Sequence, residues 1–215
     1  MSISIRIAQS SADLQTAYSL RYYVYVEEKG YYQKYADSVQ KTIHEPEDGR
    51  SIIFIALDNT TIVGTLRLQI NPDDFGYHID LFHMKKYIPF YPSQISITGK
   101  FIIHPKYRLT SVALQLAIVA FKYWFENGYR VDFICCYKEM MPFVKRLGYR
   151  QFHPDNIHPE YGLVSPMVLV NDPEYLSTIR SPIYSHRIKF SHEKKTAASV
   201  LKLIQQLQEP KLANI

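Results

Sequence analysis

The stretch Ile52-Ile-Phe-Ile-Ala-Leu57, Asp58-Asn-Thr60, Thr61-Ile-Val-Gly-Thr-Leu-Arg-Leu-Gln-Ile70 constrains the fold more than any other part of the chain. Two apolar runs rich in β-branched residues flank a short turn, which is a β-hairpin pattern: Asp and Asn bend the chain locally, and Ile, Val and Thr fit a pleated surface. The first run shows no polar alternation, so both of its faces must be covered. Helix signals supply the covers. Ser10-Ser-Ala-Asp13 reads as a capping box, and Leu14, Ala17, Tyr18, Arg21, Val24 and Tyr25 then share one helical stripe that Gly30 stops. Residues 111–127 are apolar over most of a helical circumference and end at Gly128, so this helix is expected to be buried.

The remaining segments follow the same rules. Ile3, Ile5 and Ile7 alternate as a short strand, and residues 31–50 read as polar, aromatic and irregular. Residues 71–95 read as a long connection carrying Phe75, Tyr77, Phe82, Tyr87, Phe90 and Tyr91; a connection of that length inside a compact domain is usually functional. Strands are predicted at Ile95–His104, Val131–Tyr137, Tyr149–His153 and Met167–Val170, with a short helix between Pro142 and Leu147. Pro173 to Leu207 reads as helical in pieces, the last with an amphipathic pattern in Val200, Leu201, Ile204 and Leu207. The order β-α-β-β-loop-β-α-β-α-β-β gives an α/β fold with a mixed sheet and helices on both faces. No repeat or linker composition interrupts it. One domain over 1–215 is expected, with a core at about 3–170 and a helical extension at about 173–208.

Charge and cysteine content narrow the partners. A net charge of +5 and a pI near 9.0 favour an anionic partner, but Lys and Arg form no cluster, so a nucleic-acid binder is not expected. Cys135 and Cys136 are adjacent, a spacing that rarely bridges, and they sit in a predicted core strand as packed thiols. Neither a secretion signal nor an apolar run of about 18 residues is visible, so a cytoplasmic protein without a transmembrane segment is expected. His153, His158 and Glu160 show no surrounding ligand support, and no metal site is assigned.

Chemistry concentrates at Ile103-His-Pro-Lys-Tyr-Arg108-Leu-Thr-Ser111-Val-Ala113, a strand-to-helix turn. Such a turn presents unpaired N–H groups at the positive end of a helix, which hold phosphate. The segment resembles the acyl-donor loop of GNAT-fold acyltransferases, usually Arg/Gln-x-x-Gly-x-Gly/Ala. Pro142-Phe-Val-Lys-Arg-Leu-Gly148-Tyr149 and Val63-Gly-Thr-Leu-Arg67-Leu resemble a later helix–strand and the hairpin of the same fold. That resemblance implies a mostly antiparallel mixed sheet and a soluble enzyme that transfers an acyl group to an amine. Arg21-Tyr-Tyr-Val-Tyr-Val-Glu-Glu-Lys-Gly, Glu45-Pro-Glu-Asp48 and Pro166-Met-Val-Leu-Val-Asn-Asp172 are similar to acyl-homoserine-lactone synthases and N-acyl amino acid synthases, which use long acyl chains on acyl carrier protein. The homoserine-lactone enzymes usually carry a Glu just before the segment that matches Lys100-Phe101; here Ser96-Ile-Thr-Gly stands there.

The resemblance implies a set of site residues. Phe101, Ile102, Ile103, Arg108, Leu109, Thr110, Ser111, Val112 and Ala113 would hold the phosphopantetheine arm of acyl-coenzyme A or acyl carrier protein, used as a co-substrate with no tightly bound cofactor. A backbone N–H near Phe101 would polarise the thioester carbonyl. Tyr137 would protonate the leaving sulfur, since Val144 occupies the usual place of a tyrosine acid, and Glu45 or Asp48 would supply the base. Arg21, Asp48 and Arg67 would shape the site for an amine or amino acid. Ser111, in place of glycine, suits a single phosphodiester better than a pyrophosphate and favours the carrier protein. Two other readings stay open: an ordinary acetyl-coenzyme A transferase and a non-catalytic module that binds a thioester or a protein. Oligomeric state is not legible.

Overall fold

A computed structural model of the chain describes residues 2–86, 90–184 and 202. β1 (Ile3–Ile7) leads to α1 (Ser11–Tyr22), then a two-strand ribbon β2 (Ala36–Asp37) and β3 (Thr42–Ile43). The hairpin β4 (Ile52–Asp58) and β5 (Thr61–Gln69) is followed by α2 (His78–Leu81), β6 (Ile95–Ile103) and α3 (Val112–Glu126). β7 (Val131–Cys136), α4 (Met141–Leu147), β8 (Arg150–Gln151), β9 (Asn156–His158), β10 (Gly162–Val170) and α5 (Pro173–Thr178) complete it. The main sheet runs β1-β4-β5-β6-β7-β10-β8, with β9 added to β10. Every pairing is antiparallel except β6 with β7. This is the mixed, mostly antiparallel sheet that the sequence predicts.

The unbroken apolar run in β4 is explained by its two faces. Ile53, Ile55 and Leu57 pack with Ala17 and Leu20 of α1, while Phe54 and Ala56 pack with Leu116 and Ala120 of α3. β10 divides in the same way: Met167 and Leu169 join the α3 side, and Val168 and Val170 join a separate cluster on the other face. α1 opens as predicted. Ser10 accepts from the Asp13 N–H at 3.1 Å, and the Asp13 carboxylate accepts from the Ser10 N–H at 3.2 Å. The helix runs on as a π-helical stretch, Tyr23–Glu28, before Gly30 turns the chain at φ 67°.

Three segments differ from expectation. Residues 31–50 contain the β2–β3 ribbon and a 3₁₀ turn at Pro46–Arg50, elements too short for a periodic signal. Residues 71–95 are not an open connection: Phe75, Phe82, Met84 and Phe90 are buried against Ile95, Ile97, Phe133 and Phe152. These aromatics serve as the second cover of the sheet. β10 begins at Gly162, well before Met167, because its exposed start pairs with β9. Of the predicted amphipathic segment at Ala197–Leu207 only residue 202 is described, and Val200, Leu201, Ile204 and Leu207 lie outside the described residues, as does Tyr87.

Behind the sheet, Trp124 is fully buried, and its indole N–H donates to Ser96 Oγ at 2.8 Å. The Ser96 and Tyr149 hydroxyls both donate to the Asp132 carboxylate. Burial pushes that carboxyl up to about 6, and the two hydroxyl donors only partly offset the desolvation. Among the described residues, no helix is long and apolar enough to cross a membrane.

Candidate active site

The one parallel pair sets the site. β6 and β7 pair at Ile95↔Val131, Ser96↔Asp132 and Ile97↔Phe133, and no further. Beyond Ile97 the strands part, and a cavity of about 550 Å³ opens between them, lined by Thr98–Phe101 on one side and Ile134, Cys135 and Tyr137 on the other. The β5–β6 register also slips here: Arg67 faces Gly99, but Thr65 faces Ile102, so Lys100 and Phe101 together stand opposite Leu66. A bulge re-aims the side chain it carries. Lys100 adopts φ 48°, a conformation that costs a non-glycine residue about 1–3 kcal/mol and tends to persist at working sites.

One wall is charged and buried. Arg67 Nη1 lies 2.6 Å from Glu45 Oε2 and 3.2 Å from Asp48 Oδ1, and Lys100 Nζ lies 2.5 Å from Glu45 Oε1. Arg21 Nη1 lies 2.7 Å from Asp48 Oδ2, which also accepts from the Glu45 N–H at 2.8 Å. Burial by itself would raise the Glu45 carboxyl, but Lys100 and Arg67 outweigh it and hold the group at about 2. Asp48 is likewise lowered against its burial by Arg21 and Arg67. Lys100 moves the other way: burial lowers its ammonium, and Glu45 only partly restores it.

The sequence grouped Arg21, Asp48 and Arg67 as one acceptor-binding set, and the structure divides them. Arg67 and Glu45 line the cavity. The side chains of Arg21 and Asp48 have no exposed surface and are not among the lining residues. Asp48 sits behind the wall because its carboxylate closes the turn that carries Glu45, accepting both that N–H and the two arginines. It positions Glu45 and has no oxygen left to act as a base. Glu45, held at about 2 and bonded through both oxygens, is a poor proton acceptor for the same reason.

The rest of the lining is aromatic. Six of the 18 tyrosines line the cavity: Tyr25, Tyr32, Tyr35, Tyr77, Tyr137 and Tyr161. Tyr161 packs on Tyr25 and Tyr137 at centroid distances of 5.3 and 6.0 Å, and its hydroxyl accepts from Lys100 Nζ. The Tyr137 hydroxyl is buried and has no hydrogen-bond partner among the described residues. Tyr77 and His158 meet at 2.5 Å, and His158 Nδ1 accepts from the Glu160 N–H at 3.1 Å, so both ring nitrogens are engaged. Burial lowers that imidazole to about 4. Among the described residues, no group of three His, Cys, Asp or Glu side chains is gathered that could hold a metal. Cys135 faces the cavity as a free thiol, pushed up to about 12 by burial, and Cys136 lies in the core.

The predicted donor loop is in place but organised differently from expectation. Ile102 and Ile103 turn their side chains into the core, which leaves only their backbone for a donor. Phe101 is half-buried and packs on Phe143 at 5.7 Å. Arg108 does not stand free: its two terminal nitrogens lie 2.5 Å from the two oxygens of Glu28, and its Nε donates to the Ile103 carbonyl at 3.2 Å. Leu109 is wholly exposed. Thr110, Ser111 and Val112 line a second hollow of about 380 Å³ at the start of α3, and Ala113 packs partly on the core. Sequence reasoning missed Tyr25, Tyr77, His158 and Tyr161 as lining residues, and any role for the Lys100 side chain. The readable signal was Lys100 itself, an isolated charge inside the apolar strand Ile95–Ile103.

The model of the N-acyl amino acid synthase FeeM family matches residues 16–171. Among solved structures, the FeeM N-acyl amino acid synthase from uncultured soil microbes is 16% identical, with 82% of this chain and 93% of that one covered at a TM-score of 0.62. The coenzyme A-dependent acyl-homoserine lactone synthase BjaI is 14% identical, covering 93% and 100% at 0.67. An N-acetyltransferase fold from Lactobacillus plantarum is 21% identical, covering 79% and 99% at 0.57. At these identities the likenesses show the shared fold. No curated protein matches the chain.

Proposed function

The chain belongs to the N-acyl amino acid synthase FeeM family, and on that premise we propose that its cavity joins a long acyl group, carried on a pantetheine thioester, to the amino group of an amino acid. The reaction class is N-acyl transfer. The single observation that carries the assignment of the site is the parting of β6 from β7 beside a bulge that faces a cationic wall. A pantetheine arm laid in the gap takes the place of the missing strand pairing, with the backbone of Thr98–Ile103 as its partner. A backbone N–H near Phe101 then polarises the thioester carbonyl.

Charge supports a carboxylate-bearing acceptor. The buried group holds three cations (Arg21, Arg67 and Lys100) against two carboxylates (Glu45 and Asp48), so one positive charge is left over when all are ionised. Only Arg67 and Lys100 of those cations line the cavity, and they are the ones an acceptor carboxylate meets. Tyr137, whose hydroxyl lacks a partner, donates its proton to the leaving thiolate. The mild basicity of the chain and Ser111 at the start of α3 support an acidic carrier protein as the donor in preference to free coenzyme A. The whole chain acts as one catalytic domain in a reducing cytoplasm, where Cys135 and Cys136 stay free.

The test is mass spectrometry of lipids from cells that overproduce the protein, with kcat/KM measured for acyl carrier protein and acyl-coenzyme A donors at low and high salt. N-acyl amino acids should accumulate, and a carrier-protein preference should shrink above roughly 0.15 M salt. Faster turnover of acetyl-coenzyme A at every salt concentration would overturn the long-chain reading.

A further inference from the structure

We propose that Lys100 is the catalytic base, taking a proton from the acceptor's ammonium, and that the acceptor's own carboxylate supplies the counter-charge that makes this transfer balanced. The inference rests on the amino acid acceptor proposed above.

Geometry selects Lys100. It occupies the bulge itself, one residue before Phe101, so its side chain leaves the same backbone that lies along the donor arm. Arg67 is beside it: a Cβ on Gly99 would stand 3.8 Å from Arg67 Nη2. Nζ meets Glu45 Oε1 and the Tyr161 hydroxyl, and it lies 5.3 and 5.1 Å from the Tyr25 and Tyr161 ring centroids. The groups facing it are therefore Glu45 from the turn after β3, Arg67 from β5, Tyr25 from the π-helical stretch and Tyr161 from the turn before β10. Arg21 and His158 act on it from further away. Glu45 and the rings favour the charged lysine; burial and the two arginines oppose it, and burial wins.

Charge counting gives the mechanism. Arginine does not release its proton at any working pH, so Lys100 is the one cation of the group that can. Lys100 acts in its neutral form, and in that form the empty group balances: Arg21 and Arg67 against Glu45 and Asp48, with the two arginines keeping Glu45 ionised. A zwitterionic amino acid enters without changing that sum. When its ammonium gives one proton to Lys100 Nζ, the new lysine ammonium is paired with Glu45 and the bound carboxylate, and the site stays neutral. The freed nitrogen lone pair forms the C–N bond, the C–S bond breaks, and its electron pair leaves on sulfur. A second proton passes from nitrogen to sulfur through Tyr137, the third stays on the amide, and Lys100 returns its proton to solvent. A simple amine without a carboxylate would leave the protonated lysine as an excess buried charge, which makes such acceptors poor ones.

The test uses the full chain with decanoyl thioesters of coenzyme A and of carrier protein. Two acceptors are compared: the best of the twenty common amino acids, which needs a base, and its α-aminooxy analogue, whose nitrogen is unprotonated at neutral pH. Lys100→Arg fixes a permanent cation beside Glu45, equivalent to the protonated lysine, and cannot act as a base. Expected are a kcat loss of about 10²–10⁴-fold with the amino acid and under tenfold with the aminooxy acid, and loss of the rising limb of the kcat/KM–pH profile. Methylamine should partly restore amino acid turnover to Lys100→Ala, a second variant whose folding is checked by its melting curve. Equal losses with both acceptors, or a loss under tenfold with the amino acid, would overturn the role of Lys100, as would the same selective loss in Glu47→Gln or Glu160→Gln with Lys100→Arg unaffected. If the wild-type protein acylates neither acceptor, the acceptor reading itself falls and takes this inference with it.

Discussion

Replacing Asp48 with Asn tests whether the rear half of the charged group is frame or site. Arg21 is completely buried, and Asp48 Oδ2 at 2.7 Å is its counter-charge; its Nε and Nη2 have no hydrogen-bond partner among the described residues. The Tyr18 ring, 5.1 Å away, and the Glu45 carboxylate further off add weaker support. Asp48→Asn therefore leaves the buried guanidinium without its paired carboxylate and weakens the turn that presents Glu45. Breaking a buried pair from one side costs about 3–5 kcal/mol. For a chain of this size each kcal/mol lowers Tm by about 2–4 °C, so a loss of roughly 6–20 °C is expected.

Thermal melts followed by circular dichroism at pH 7 provide the assay, repeated in urea to obtain the free-energy change. The double variant Arg21→Met/Asp48→Leu should recover most of the loss, because an apolar pair of similar volume removes both desolvation penalties together. Its activity should recover less, because Glu45 loses the carboxylate that fixes its N–H. A Tm within about 2 °C of wild type for Asp48→Asn, with turnover sharply reduced, would refute this reasoning and return Asp48 to the acceptor site.

Three further outcomes are expected. Glu28→Gln frees the Arg108 fork for a donor phosphate; a partly exposed pair is worth up to about 1 kcal/mol, so coenzyme A binding measured by calorimetry should tighten up to about fivefold, and unchanged or weaker binding would remove Arg108 from the donor site. Burial holds Asp132 at about 6, above its unfolded value of 3.8, so this group by itself adds stability as pH falls from 7 to 5.5, whereas His78 and His158, lowered to about 4 by burial, lose it over the same window, and urea stability should fall overall. Glu45 and Asp48 are shifted downward and lose stability only at lower pH; Asp132→Asn removes the one opposing contribution and should steepen the fall, and an unchanged slope would take Asp132 out of the account. Gly148→Ala should cost about 1–3 kcal/mol, since φ is 122° there and a Cβ would lie 2.4 Å from Leu176 Cδ2; a neutral result would mean that α5 yields easily.

The frame was legible wherever one physical signal dominated. An unbroken apolar run demanded two covers for β4, and α1 and α3 supply them. A capping box located α1 to the residue. Legibility failed where structure depends on pairing across long sequence separations. Nothing local marks Phe75 and Phe82 as a cover for Phe133, because their partner face exists only once β6 and β7 are side by side. Tyr161 and Tyr25 are 136 positions apart, and only the fold brings them to the same lysine.

The charged residues show most clearly what spacing leaves open. Arg21, Glu45, Asp48 and Arg67 were singled out by the family resemblance, where the residues alone read equally as separate surface charges, and all four come together. Yet pattern could not tell which of them face the cavity, because that depends on which side of a single turn each carboxylate falls. Glu45 points into the gap and Asp48 points back across the turn to receive the Glu45 N–H, three residues apart and opposite in role. The fifth member, Lys100, was missed because its importance lies in a sum. Four charges that cancel need no fifth, so a buried lysine beside them must either lose its proton or await an anion. An enzyme that has to deprotonate a carboxylate-bearing amine uses both alternatives in one cycle.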